Sequence, residues 1–219
     1  RPGDVYQGVR LLGALRLDHT EVDGYDLREL SGLAWDADAE LLILLSDDGY
    51  VGHARPQFEA GLLAGLDYLA AYPLTEPDGR PVVDDAADTE GLAIINGDNG
   101  TAGDTELLVS FEVQPRLHRY SADGRFLEAL PLPDVLRDID NYADDNKAIE
   151  ALTIHPGHGI LLAPEARLRA DRSDTLSLFT LAGERWRYTP RDPRHSAIVA
   201  TEMVEDGPLL VLPRRYKSL

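Results

Sequence analysis

The sequence predicts an all-β fold of the propeller type. Three observations lead there: short apolar runs, turn-forming residues between them, and a motif that returns at near-constant spacing. In each copy a small or acidic residue precedes Gly or Ala and then Leu, and the strand runs that follow end in Asp or Glu. The copies run from Ser31-Gly32-Leu33 to Ser46-Asp47-Asp48, from Glu90-Gly91-Leu92 to Ser110-Phe111-Glu112, and from Glu150-Ala151-Leu152 to Ala163-Pro164-Glu165. A degenerate fourth runs from Thr201-Glu202-Met203 to Leu212-Pro213-Arg214. The starts lie about 50–60 residues apart, which is the size of one repeat unit with its own strands.

Along the chain, residues 9–17, 33–35, 41–45, 92–95, 107–111, 117–120, 152–154, 160–163, 176–181 and 209–212 read as strands. Turn formers separate them at 36–38, 96–100, 122–124, 155–158 and 182–183. Ala122-Asp123-Gly124 is predicted as a tight hairpin, because Asp-Gly supplies positive φ angles. Residues 59–72 carry leucines at helical spacing, but Gly61 and Gly65 interrupt them, so helix and hairpin both stay open. Residues 134–142, following Pro131 and Pro133, are predicted as a short surface helix.

Many short strands without alternating helices argue an all-β fold, and four related units argue blades around a channel. Each motif then supplies the two inner strands of a blade, and Gly or Ala after its first residue suits the crowded axis. The starts Ser31, Glu90, Glu150 and Thr201 are expected on equivalent inner strands. The chain reads as one domain over residues 1–219. The fourth unit stops soon after its second strand, so a C-terminally incomplete ring is expected unless the strand at 9–17 closes it.

A formal charge of −18 excludes a phosphate-tracking nucleic-acid binder, which needs a basic stripe. It suits a cationic or metal-bearing ligand instead. The chain has no cysteine, so disulfides and thiolate metal sites are excluded. No apolar run is long enough for a transmembrane segment, and a start at Arg1 fits a piece of a longer chain or a processed one.

Nucleophile elbows, Walker loops, His-Glu-x-x-His and Gly-x-Gly-x-x-Gly are missing. The oxygen-rich stretch from Asp138 to Asn146 lacks the spacing of a calcium loop and reads as solvated. Ser31 has no histidine placed as a base. His155 and His158 flank a Pro-Gly turn and read as exposed. Trp35, Phe111, Tyr120, Phe179 and Trp186 read as packing between blades. The repeat itself carries the chemistry. Glu90 and Glu150 open inner strands at corresponding positions, and Glu112 and Glu165 end the next, antiparallel strands. All four should therefore converge at one rim, joined by Asp47 from the first repeat. Gathered carboxylates repel unless a cation compensates, and an oxygen-only set favours calcium, with magnesium second. Arg116, Lys147, Arg214 and Arg215 could instead neutralise the acids or hold the phosphate or carboxylate of a substrate.

Several blocks occur in order: Asp88-Thr89-Glu90-Gly91-Leu92, Ser110-Phe111-Glu112 with Pro115-Arg116 and Arg119-Tyr120, and Asn146-Lys147 before Glu150. With Ser31-Gly32-Leu33, Ser46-Asp47-Asp48-Gly49 and the run from Leu210 to Tyr216, they resemble the phytase-like family described as "esterase-like activity of phytase". The resemblance covers nearly the whole chain. It implies a repeat-built propeller in exported bacterial proteins, hence a periplasmic or secreted location, and hydrolysis of phosphoesters or other esters. It maps the family's acidic positions onto Glu90, Glu112, Glu150 and Glu165, with basic partners at Arg116 and Arg214 or Arg215. The first repeat departs with Ser31, and the fourth departs with Pro213-Arg214 in place of an acid.

The function expected is a calcium- or magnesium-assisted hydrolase of a small-molecule phosphoester or other ester. Glu90 and Glu150 are its catalytic carboxylates and Arg116 stabilises developing negative charge. Two alternatives stay open: a non-catalytic propeller that binds a ligand or partner at its channel mouth, and a sugar-acid lactonase.

Overall fold

Turn chemistry and apolar alternation resolve into antiparallel sheets built in chain order. The computed structural model describes residues 3–6, 8–17, 20–172, 174–192, 195–204 and 207–215. Two small hairpins come first: β1 (Val5–Tyr6) with β2 (Val9–Arg10), and β3 (Glu21–Val22) with β4 (Tyr25–Asp26). The first four-stranded sheet is β5 (Leu30–Asp36), β6 (Leu41–Ser46), β7 (Tyr50–Glu59) and β8 (Leu62–Pro73). The second is β9 (Thr89–Ile95), β10 (Glu106–Phe111), β11 (Arg116–Ser121) and β12 (Phe126–Leu130). The third is β13 (Ile149–His155), β14 (Gly159–Pro164), β15 (Leu176–Thr180) and β16 (Arg185–Tyr188). Among the described residues the fourth sheet has two strands, β17 (Ser196–Met203) and β18 (Leu209–Arg215).

The first strands of successive sheets lie side by side, which is the propeller arrangement. A Cβ on Gly32 would come within 2.7 Å of Leu92 Cβ, and one on Gly91 within 2.8 Å of Leu152 Cβ. The small residue of the motif is thus required by the neighbouring inner strand. Apolar layers fill the gaps between sheets. Ile43, Leu45 and Val51 of the first sheet pack with Leu92, Leu107, Phe111 and Tyr120 of the second. Leu108 and Leu117 pack with Ile149, Leu162 and Phe179, and Ala163, Leu176 and Leu178 with Ile198. Trp186 is half-buried against that last layer. Trp35 departs from expectation, remaining 48% exposed. It shares its face of β5 with the exposed Leu33, whereas Ala34 points toward the second sheet.

Residues 59–72 form the β7–β8 hairpin rather than a helix. Ala60 (φ 50°) and Gly61 (φ 78°) both take the left-handed conformation that a two-residue hairpin turn requires. At Ala122-Asp123-Gly124 only Gly124 does so (φ 79°), because three residues separate Ser121 from its partner Arg125 and a three-residue loop needs one left-handed position. The predicted helix at 134–142 shrinks to α1 (Asp134–Arg137) and a 3-10 turn at Ile139–Asn141. It is not purely a surface element, since Leu136 and Tyr142 are fully buried. The expected strand at 9–17 is limited to Val9–Arg10, paired with β1, so it does not extend the fourth sheet. Tyr216 lies outside the described residues.

A β-bulge interrupts every inner pair near the motif start, which matters for the site. Ser31 bulges between Leu30 and Gly32, Glu150 between Ile149 and Ala151, and Val199 between Ile198 and Ala200. In the second sheet Glu90 and Gly91 together oppose Ser110. A bulge re-aims the side chain it carries. Thr201 lies on the expected inner strand, but the residue equivalent to Glu90 and Glu150 is Val199. The acidic Glu202 mimics the motif's opening three positions late, and pairing register rather than residue chemistry decides equivalence.

Candidate functional site

The bulges place their side chains in a central cleft of about 640 Å³. Ser31, Asp47, Glu90, Glu150, Thr201 and Arg214 all line it. Strand pairing explains the second set of positions. Ser46, Phe111, Pro164 and Pro213 pair with the residue before each bulge, so Asp47, Glu112, Glu165 and Arg214 occupy one equivalent station. The same hydrogen bond holds that station in three sheets: Asp47 N to Glu29 O (3.1 Å), Glu112 N to Asp88 O (2.9 Å) and Glu165 N to Ala148 O (2.8 Å).

The predicted convergence of Glu90, Glu112, Glu150 and Glu165 is therefore what the chain folding produces. Carboxylate oxygens of Asp88, Glu90 and Glu112 lie within 4.8 Å of one another, and so do those of Glu112, Glu150 and Glu165. Glu112, 2% exposed, belongs to both groups and accepts a hydrogen bond from Ala148 N at 2.8 Å. Asp47 joins a third group with Glu29 and Asp48, and its Oδ1 is buried without a hydrogen-bond partner. Glu29 and Asp88 enlarge the acidic set beyond the positions predicted from the repeat. Both carry one sequence signal, an acid two positions before a motif start: Asp88 before Glu90 and Glu29 before Ser31.

Charge is distributed unevenly along this rim. Glu165, 3% exposed at its side chain, is held by Lys147 Nζ at 3.0 Å and Arg214 Nη2 at 2.7 Å. Glu165 is thus ion-paired within the carboxylate group it forms with Glu112 and Glu150. Away from it the acids meet mainly one another. Burial, then the neighbouring Glu150 and Glu112 charges, pushes the Glu90 carboxyl up to about 9. Burial and Glu150 raise Glu112 to about 8, against the opposing Ala148 hydrogen bond. Glu150 rises to about 7 through burial and Glu165, restrained by Arg214 and Lys147. Asp47 reaches about 6 by burial and Glu29.

The other two expected basic residues are placed elsewhere. Arg116 stacks over the Phe111 ring at 3.6 Å and donates to Gln114 O at 3.2 Å and to Ala86 O, and it does not line the cleft. Arg215 pairs with Asp192 at 2.6 Å, because adjacent residues of a strand face opposite sides. Among the described residues Ser31 Oγ donates to Leu45 O, at 3.5 Å. His158 is exposed and His155 half-buried, both in edge-to-face contact with Trp186. The acids of residues 138–146 join none of the metal-capable groups among the described residues. No helix among the described residues is long and apolar enough to cross a membrane.

Comparison with known proteins gives one family. Residues 26–219 match the phytase-like family, "Esterase-like activity of phytase". No curated protein matches. Similar solved structures include virginiamycin B lyase from Staphylococcus aureus (13% identity, 90% of this chain and 67% of that one, TM-score 0.46). A streptogramin B lyase (13%, 84% and 47%, 0.43) and U3-55K (13%, 80% and 42%, 0.40) are similar too. The chain spans 42% of the length of U3-55K and 47% of that of the streptogramin B lyase.

Proposed function

Because the chain belongs to the phytase-like family, we propose that its central cleft hydrolyses a small-molecule phosphoester or other ester with the help of a divalent cation, calcium before magnesium. One observation carries the reading: Glu90, Glu112 and Glu150 fall in two carboxylate groups that share Glu112, Asp47 falls in a third with Glu29 and Asp48, and all four carboxyl pKa values are raised, while Lys147 and Arg214 pair with Glu165 at one side. Each group fits a hard cation, being all oxygen and in reach within itself. Asp88, Glu90 and Glu112 would hold it, with Glu150 at the seam. A divalent cation there supplies positive charge to polarise the ester's reacting oxygen.

The protein's own groups divide the remaining work. Glu150, near neutrality, is suited to take a proton from water. Arg214 lines the cleft beside it and can hold an anionic group while its other contact stays on Glu165. Charge stabilisation, expected of Arg116, passes in this reading to Arg214 and Lys147. Export to the periplasm or medium accompanies the family reading and is tested by locating the protein in fractionated cells.

The experiment is calorimetric titration with calcium and magnesium, followed by turnover of phosphomonoester and carboxylester panels with and without chelator. Saturable calcium binding with chelator-sensitive turnover supports the reading, and turnover indifferent to chelator overturns the metal. Calcium binding without turnover of any ester favours the non-catalytic binding propeller. For that second reading the Lys147–Glu165–Arg214 cluster is the specific support, since it leaves part of the rim already neutral.

A further inference from the structure

Ser110 is fully buried on β10, yet its hydroxyl touches both bulged inner strands that carry the cleft acids. Its Oγ accepts from Gly91 N at 2.9 Å and donates to Ile149 O at 3.0 Å. Gly91 follows Glu90 and Ile149 precedes Glu150, and Ser110 itself stands two residues before Glu112. One hydroxyl therefore ties together the backbone at three acids from two sheets. The other sheets lack this link: Leu45, Ala163 and Leu212 occupy the position of Ser110.

The bulge creates the need for it. With Glu90 and Gly91 both facing Ser110, the ladder cannot serve every amide, and a buried N–H without a partner is costly. Ser110 satisfies that N–H and passes its own proton across the sheet boundary. The fit is close, since a Cβ on Gly91 would lie 2.5 Å from Ser110 Oγ.

We infer that Ser110 is a positioning residue, which sets the separation of Glu90 and Glu150 across the boundary between the second and third sheets. The inference rests on the reading of the cleft as the functional site, but its geometry can be tested without any metal. The chain has no cysteine, so Glu90→Cys with Glu150→Cys introduces a unique thiol pair. Its disulfide formation rate under mild oxidation reports their relative placement. Adding Ser110→Ala should slow that rate by about tenfold, and Ser110→Thr, which keeps the hydroxyl, should restore it. Ser177→Ala, a buried hydroxyl bonded to Asp171 away from the cleft, should leave the rate unchanged. An equal rate with and without the Ser110 hydroxyl overturns the inference. Should Ser110→Ala not fold, exchange of the Gly91 amide in the unmodified protein decides: protection matching the strand ladder supports the bond, and fast exchange refutes it. Calcium titration of the unmodified protein is read separately. If it shows no binding, the metal-assisted reading falls and the disulfide rate alone decides Ser110.

Discussion

Arg214 donates to Glu165 at 2.7 Å from the very station that Glu165 occupies one sheet earlier. A repeat that elsewhere supplies an acid thus supplies its counter-charge in the fourth copy. Arg214→Met should leave Glu165 with Lys147 alone. Breaking a fully buried pair costs about 3–5 kcal/mol, but Arg214 is 45% exposed and Lys147 remains, so about 1–2 kcal/mol is expected. Urea melts at pH 7 check this. Arg214→Met combined with Glu165→Gln should recover much of the loss, and a purely additive double variant would disprove the coupling.

The metal-free protein should be more stable at pH 5 than at pH 8. Each cleft carboxyl holds its proton more tightly folded than unfolded, from ordinary values of 4.5 for Glu and 3.8 for Asp up to between about 6 and about 9. Across that window the folded state carries more protons, so stability falls as pH rises. A loss of about 1–3 kcal/mol is expected in chelator. Calcium should reverse it at pH 8 by binding the folded rim. A flat profile in chelator would show that the rim is already balanced.

Glu112→Gln keeps an acceptor for Ala148 N and removes one charge from both acidic groups. It should raise stability in chelator at pH 8 while weakening calcium binding by at least about tenfold, a change of about 1.4 kcal/mol in binding free energy. Glu90→Gln should cost little stability at pH 7, where its carboxyl is already mostly protonated, but should weaken calcium binding too. Calorimetry on both variants checks the pair. Unchanged calcium affinity would remove these acids from the ligand set.

Ala60 is exposed and sits at φ 50° in the β7–β8 turn, where a Cβ is unfavourable. Ala60→Asn creates Asn-Gly, the preferred pair for this turn, and should stabilise the protein by about 0.5–1 kcal/mol. The thermal midpoint should rise without any change in calcium affinity, because the turn is remote from the cleft.

Strand and turn signals are local, so the sequence alone determined the all-β segmentation, the repeat and the acids that each repeat carries. Glu90, Glu112 and Glu150 were legible for that reason: a two-residue period and antiparallel pairing return both ends of the motif to one rim. The hairpin at 59–72 was not, because leucine spacing there fits two periods and only the left-handed turn at Ala60-Gly61 decides. Tertiary structure alone decided which cations meet which acids. Arg214 and Arg215 are neighbours in sequence, yet strand alternation sends one to Glu165 and the other to Asp192. Arg116 was matched by its motif and turned away by stacking on Phe111. The equivalence of Val199 with Glu90 and Glu150 and the reach of Ser110 to Ile149 depend on bulge register and on contacts between strands distant in the chain. Such contacts leave no periodic trace, because they are made by single residues across sheet boundaries rather than by the alternation that builds each sheet.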